Sequence, residues 1–144
     1  SNSYSQLFST IKQLQLPYQA MEEAFRRMVF NVMGRNCDDH TKNFSFLLSQ
    51  EKRTWELAPA YDITFAHNPN GEWTNQHLMS VNGKFKGFEL NDLLEEAKRF
   101  KIGTANDIIQ QVRSSIKQWP TFAKQAGLPQ QEITDRQNYL LMLE

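Results

Sequence analysis

Apolar residues recur at every third or fourth position between Pro17 and Gly34, and this stripe constrains the fold more than any other sequence feature. The stripe consists of Tyr18, Met21, Phe25, Met28, Val29, Val32 and Met33. Such spacing places the side chains on one face of an α-helix. Pro17 suits a first helical turn, and Gly34 is a natural helix stop. We therefore predict an amphipathic helix over 17–33 with a buried apolar face.

The same periodicity predicts further helices on either side of a central non-helical region. They are expected at 7–14, 91–100, 104–119, 122–127 and 133–141. Thr104 precedes Asp107 by three residues, which resembles a capping box at the start of the long helix. Pro120 is expected to break that helix, because proline lacks the N–H that a helix interior needs. The chain after Leu90 is therefore predicted to be helical throughout.

Strand-like alternation replaces the helical period in the middle of the chain. Phe44, Phe46 and Leu48 alternate with other residues, and a charged turn at 50–53 leads to a return strand at 54–57. A second hairpin is expected within 77–88, turning at Asn82-Gly83, since that dipeptide tolerates positive φ. We predict a mainly α (α+β) fold with one or two small β-hairpins.

Length and composition exclude several classes of protein. The 144 residues carry 16 Lys and Arg against 16 Asp and Glu, so a general nucleic-acid coat is not expected. A single cysteine, Cys37, leaves no internal disulfide and favours a reducing compartment, the cytoplasm. No apolar run approaches the roughly 18 residues of a membrane span. We expect residues 1–144 to form a single domain that has no membrane partner.

A polar loop at 36–43 carries the residues with the clearest chemistry. Asp38 and Asn43 are five residues apart, and Asp62 follows the predicted hairpin. Phosphoryl transfer needs a carboxylate that orients and deprotonates the attacking hydroxyl, and it needs oxygen ligands that hold Mg²⁺ against the phosphates. Asp38 suits the first role, and Asn43 and Asp62 suit the second. The Asp-x-x-x-x-Asn spacing is that of a protein-kinase catalytic loop.

Two longer strings resemble a known family. Asp-Asp-His-Thr-Lys-Asn-Phe-Ser at 38–45 and Pro-Ala-Tyr-Asp-Ile at 59–63 resemble the C-terminal region of HipA-type serine/threonine kinase toxins, and the close resemblance covers 29–65. It implies a protein-kinase-like C-terminal helical lobe that works with ATP and Mg²⁺. Asp38 maps to the catalytic aspartate of that family, and Asn43 and Asp62 map to its metal ligands.

The resemblance also implies which other loop positions lie near the nucleotide. These are His40, Thr41, Lys42 and Tyr61, together with the two metal-binding residues. Asp39 departs from the glycine of the best-known family member. Its role stays open between added acidity near the metal and a cap of the loop.

The family implies partners that this chain does not supply. No glycine-rich phosphate loop and no lysine-bearing strand precede residue 29, so an N-terminal kinase lobe is expected from a missing segment or another polypeptide. The implied protein substrate is of the aminoacyl-tRNA synthetase kind. The implied partner is a HipB-like helix-turn-helix antitoxin, through which DNA would be reached indirectly.

Simpler interpretations stand beside the kinase hypothesis. Asp38 and Asn43 are also common turn residues, Lys42 could be a solvated charge, and His40 could hold the loop by a hydrogen bond. Cys37 is expected to be a packing residue. A degenerate lobe that binds an antitoxin or DNA is one alternative function. A small-molecule or lipid kinase is another, because the Asp-x-His-x-x-Asn order also resembles phosphoinositide-kinase loops.

Overall fold

Helices dominate the part of the chain that the computed structural model describes, residues 2–60 and 76–144. Its six α-helices are α1 (Tyr4–Gln13), α2 (Tyr18–Met33), α3 (Leu90–Arg99), α4 (Ala105–Lys117), α5 (Trp119–Gln125) and α6 (Gln130–Gln137). Its strands are β1 (Asn2–Ser3), β2 (Phe46–Ser49), β3 (Thr54–Leu57) and β4 (Met79–Ser80). The predicted mainly α class is confirmed.

The central helix is α2, which forms where the apolar stripe predicts it. All members of the stripe except the half-exposed Tyr18 are buried. They pack with the buried face of α4 in one hydrophobic core. Gly34 caps the C-terminus of the helix, and its N–H donates to the Phe30 carbonyl at 2.8 Å. A Cβ at Gly34 would lie 2.8 Å from that same oxygen, so glycine permits the close approach.

The first helix begins earlier than its apolar residues predict. Ser3 caps α1: its hydroxyl accepts from the Gln6 N–H at 3.1 Å, and the Gln6 side chain accepts from the Ser3 N–H at 2.9 Å. This capping box satisfies amides that have no helical partner. It places Tyr4 in the first turn of the helix, where the side chain is fully buried.

The C-terminal helices follow the predicted order with two corrections. The predicted break after α4 forms at Gln118, and Pro120 lies in the first turn of α5. The predicted capping box at Thr104 is wrong, because its hydroxyl donates instead to Glu22 Oε2 on α2 at 2.5 Å. The last helix stops at Gln137, before the predicted end at 141.

The first predicted hairpin forms, although its first strand starts at Phe46 and not at Phe44. β2 and β3 pair antiparallel, with Phe46 opposite Leu57.

The second predicted hairpin is reduced to a tight turn. Asn82 and Gly83 adopt φ values of 49° and 77°, and one bridge joins Val81 to Lys84. The preceding strand, β4, pairs in parallel with β1. The N-terminal segment thus supplies the backbone partner that a hairpin would have supplied.

Candidate functional site

The loop between α2 and β2 holds the predicted catalytic residues. It leaves α2 by folding back, because the Asn36 N–H donates to the Asn31 carbonyl at 2.9 Å. It ends in a single 3₁₀ turn, Thr41–Asn43, in which the Asn43 N–H donates to the His40 carbonyl at 3.0 Å. The loop therefore has a defined backbone path at both ends.

Asp38 and Asn43 lie together in this loop. Asn43 is only 8% exposed, and its Nδ2 donates to the Asp38 backbone carbonyl at 2.9 Å. That bond orients the amide and leaves its Oδ1 as the atom that a cation would use. The Asp38 side chain is exposed. One short loop thus carries a solvent-accessible carboxylate and an oriented amide.

The other predicted nucleotide residues fall into two groups. Thr41 and Lys42 are exposed on the 3₁₀ turn, and His40 is half-buried just before it. Within the described residues, His40 Nδ1 is buried and has no hydrogen-bond partner. Tyr61 and Asp62 lie outside the described residues, so their place beside Asp38 stays a prediction.

Asp39, whose role the sequence left open, is the most buried residue of the loop. It is 0% exposed. Its Oδ2 lies 2.6 Å from the Tyr4 hydroxyl and 2.7 Å from His77 Nδ1, and its Oδ1 accepts from the Leu78 N–H at 3.0 Å. Its side chain therefore lies in the interior, while that of Asp38 is exposed.

The contacts of Asp39 extend into a longer buried chain of polar groups. Asn31 Nδ2 donates to the Tyr4 hydroxyl at 3.1 Å, and Asn36 Nδ2 donates to Asn31 Oδ1 at 3.0 Å. Burial and the negative charge of Asp39 raise the pKa of Tyr4 well above its ordinary value. The Tyr4 hydroxyl therefore stays protonated and can donate to Asp39.

Our interpretation of the sequence did not identify Tyr4 or His77 as part of the loop's surroundings. They lie 35 and 38 residues from Asp39, and no motif spans those distances. One local signal did exist, since the Ser3-x-x-Gln6 capping box places Tyr4 at a helix start. No comparable signal marks His77.

Cys37 agrees with its interpretation as a packing residue. The side chain is buried, and burial raises the pKa of its thiol to about 11. A thiol with a raised pKa is a weak nucleophile at neutral pH, because the thiolate is the reactive form.

Two further observations concern metal and ligand sites among the described residues. Residues 2–60 and 76–144 contain no group of three or more His, Cys, Asp or Glu side chains placed to hold a metal ion. A depression beside Thr41 has a volume of about 140 Å³. This is below the roughly 300 Å³ at which ligand pockets begin, so it would not enclose a nucleotide.

No described helix is both long and apolar enough to span a membrane.

Comparison with known proteins identifies a family. The family model described as the HipA-like C-terminal domain matches residues 1–120. No match was found among curated proteins or among solved structures. The matched region includes α1, α2, the loop with Asp38 and Asn43, and the β2–β3 hairpin. The match covers most of the chain and agrees with the motifs of that loop, so the chain belongs to the HipA-like C-terminal domain family.

Proposed function

We propose that this chain is the catalytic lobe of a HipA-like ATP-dependent serine/threonine protein kinase of a toxin–antitoxin system. Membership of the HipA-like family supports the proposal. The observation that carries it is the hydrogen bond from Asn43 Nδ2 to the Asp38 carbonyl. That bond joins the proposed base and a proposed metal ligand in one loop, five residues apart.

Asp38 is the proposed general base. Its exposed carboxylate can be approached by the hydroxyl of a serine or threonine on a protein substrate. The carboxylate would orient that hydroxyl and accept its proton as the oxygen attacks the γ-phosphate of ATP. A positioned base contributes typically about 10²–10⁴-fold to a rate.

Asn43 and Asp62 are the proposed ligands of Mg²⁺. The donor chemistry fits, because an oriented amide oxygen and a carboxylate are the hard oxygen ligands that Mg²⁺ prefers. When bound, the ion supplies positive charge next to the phosphates. His40, Thr41, Lys42 and Tyr61 are proposed to contact the nucleotide near the same edge of the lobe.

The remaining parts of the ATP site are proposed to come from an N-terminal kinase lobe outside these residues. Residues 1–144 would then act as one domain beneath it, in the cytoplasm. A protein such as an aminoacyl-tRNA synthetase is the proposed substrate. A HipB-like helix-turn-helix antitoxin is the proposed partner and the only link to DNA.

The test is phosphate transfer by the native full-length protein and its Asp38→Asn variant. The substitution keeps the side-chain size but removes the proton acceptor, so turnover should fall about 10²–10⁴-fold. The melting temperature should not change, since substitutions of exposed polar residues alter the free energy of unfolding by no more than about 0.5 kcal/mol. Asp135→Asn, which neutralises an exposed carboxylate on α6, is the matched control. Asp62→Asn should weaken metal and nucleotide binding together with turnover.

Three results would contradict the proposed function or the role of Asp38. Unchanged phosphate transfer in the Asp38→Asn variant would remove Asp38 as the base. A collapse of its melting temperature would show that Asp38 serves the fold. Absence of phosphate transfer in the unaltered protein would favour the non-catalytic binding module.

A further inference from the structure

Asp39 lies where three segments of the chain meet. Its backbone belongs to the loop with Asp38 and Asn43. Its side chain contacts Tyr4 at the start of α1, and it contacts His77 and Leu78 just before β4. These partners are more than thirty residues away on either side of the sequence.

Hydrogen-bond chemistry gives this network one direction. An ionised carboxylate can only accept hydrogen bonds. The Tyr4 hydroxyl therefore donates a hydrogen bond to Asp39. The oxygen of that hydroxyl accepts a hydrogen bond from Asn31 Nδ2, and Asn31 Oδ1 accepts one from Asn36 Nδ2. The chain of donors begins on the loop at Asn36 and returns to the loop at Asp39. Both ends of the segment 36–39 are thus attached to the interior.

The network acts on the backbone next to Asp38. The carbonyl of Asp38 belongs to the peptide that joins it to Asp39. That carbonyl accepts a hydrogen bond from Asn43 Nδ2. On the other side of the peptide, the side chain of Asp39 contacts Tyr4 and His77. The peptide is therefore held on both sides. Because Asp39 points inward, the neighbouring carboxylate of Asp38 is left on the exposed side of the loop.

We propose that Asp39 is a positioning residue: by accepting hydrogen bonds from α1 and from the segment before β4, it fixes the orientation of Asp38. The effect on catalysis rests on the proposed kinase function, whereas the stabilisation of the loop by the network does not. Misplacement of a reacting group by about 1 Å can cost about 10²-fold in rate. The network lies where it can prevent such misplacement.

The kinetic test is a double-mutant cycle in the native full-length protein. Asp39→Asn should lower kcat by about 10²-fold with little change in the KM for ATP. In the Asp38→Asn background the same substitution should have almost no further effect, because a residue that acts through Asp38 has nothing left to position. A residue that serves only stability would instead lower both backgrounds alike.

Asp92→Asn is the matched control for this cycle. Asp92 is also a buried carboxylate that accepts several hydrogen bonds, but its partners are Asn82, Lys84 and Glu89 rather than the loop. Replacing the Asp92 carboxylate by an amide should leave kcat close to that of the unaltered protein, at a temperature where every variant is folded. A loss of kcat in Asp92→Asn equal to that in Asp39→Asn would overturn the positioning role.

A second measurement does not depend on activity. Tyr4→Phe removes the hydroxyl but keeps the ring that packs edge-on against Phe44, with centroids 6.0 Å apart. Hydrogen exchange should become faster at residues 36–44, while α4 should remain as protected as before. Tyr18→Phe removes an exposed hydroxyl that lies 3.3 Å from Thr104, and it should leave exchange in the loop unchanged.

The two measurements separate this proposal from the function on which it builds. If the unaltered protein transfers no phosphate, the kinase proposal fails and hydrogen exchange alone decides whether the network holds the loop. If hydrogen exchange at residues 36–44 is unchanged in Tyr4→Phe, the network does not stabilise the loop. Equal effects of Asp39→Asn in both backgrounds of the cycle would overturn the catalytic consequence.

Discussion

Two adjacent aspartates show how strongly the environment of a side chain decides its use. Asp38 and Asp39 have the same chemistry, yet one is exposed and the other is completely buried. A buried carboxylate is costly unless donors surround it, and Asp39 is surrounded by three. The carboxylate of Asp38 is instead exposed to solvent.

Cys37 offers a test of burial at the start of this loop. With a pKa of about 11, only about one thiol in a thousand is ionised at pH 8. We therefore expect iodoacetamide to modify the native protein far more slowly at pH 8 than it modifies a free thiol. Mass spectrometry of the intact protein over time measures this rate.

The same protein unfolded in guanidinium is the control, and its Cys37 should react at the rate of a free thiol. Rapid modification of the native protein would contradict the burial of Cys37 in the folded loop.

At the scale of a single element, Asp92 secures the start of α3. It accepts from the Glu89 N–H at 2.8 Å and from Asn82 Nδ2 and Lys84 Nζ at 3.0 Å. Burial alone would raise the pKa of Asp92, but these hydrogen bonds and the Lys84 charge lower it below its ordinary value. One side chain thus caps the helix and holds the turn at Asn82-Gly83 against it.

This arrangement predicts a pH-dependent loss in Asp92→Asn. A carboxyl whose folded-state pKa is lowered stabilises the fold above its unfolded pKa, and that contribution disappears as pH falls through the folded value. At pH 7 the variant should lose about 1 kcal/mol of unfolding free energy. The loss should shrink below the ordinary pKa of 3.8.

Urea denaturation at pH 7 and at pH 3 measures the difference, with Asp135→Asn as an exposed control. A loss of equal size at both pH values would show that the charge of Asp92 does not stabilise the α3 start.

At the scale of the whole molecule, the C-terminal segment ties the helices together. The Leu141 N–H donates to the Met33 carbonyl at the end of α2, at 2.9 Å. The Arg113 guanidinium on α4 donates to the carbonyls of Met142 and Leu143, at 2.8 and 2.9 Å. Residues beyond the matched family region therefore still contribute to the packing of α2 and α4.

The proposed division of the ATP site predicts weak nucleotide binding by residues 1–144 alone. Without a second lobe the adenine and the phosphates stay solvated, and two protein ligands make a poor Mg²⁺ site. Isothermal titration of ATP·Mg²⁺ should give little or no heat with the isolated chain. The native full-length protein should bind measurably under the same conditions.

Circular dichroism of the isolated chain provides the necessary control, because the comparison requires that it be folded. Micromolar affinity of the folded chain for ATP would show that these residues form a complete nucleotide site and would remove the need for the proposed N-terminal lobe.

Local sequence patterns predicted the elements of this molecule well. The stripe from Tyr18 to Met33 gave α2, Pro120 gave the break after α4, and the alternation near Phe46 gave the β2–β3 hairpin. The stripe and the alternation work because helices and strands bury one face at a fixed residue period, and Pro120 works because proline lacks the N–H that a helix interior needs. The polar run at 36–43, which has no apolar period, likewise predicted that Asp38 and Asn43 share one loop.

Only the tertiary structure decided which distant residues meet. The inward role of Asp39, the pairing of β4 with β1 and the contact of Thr104 with Glu22 all join segments far apart in sequence. The position of Asp62 stays a prediction. Periodicity reports which face of an element is buried, but it does not report what that face is buried against. The buried contacts of Asp39 with Tyr4 and His77 therefore became visible only in the tertiary structure, which brings these segments together.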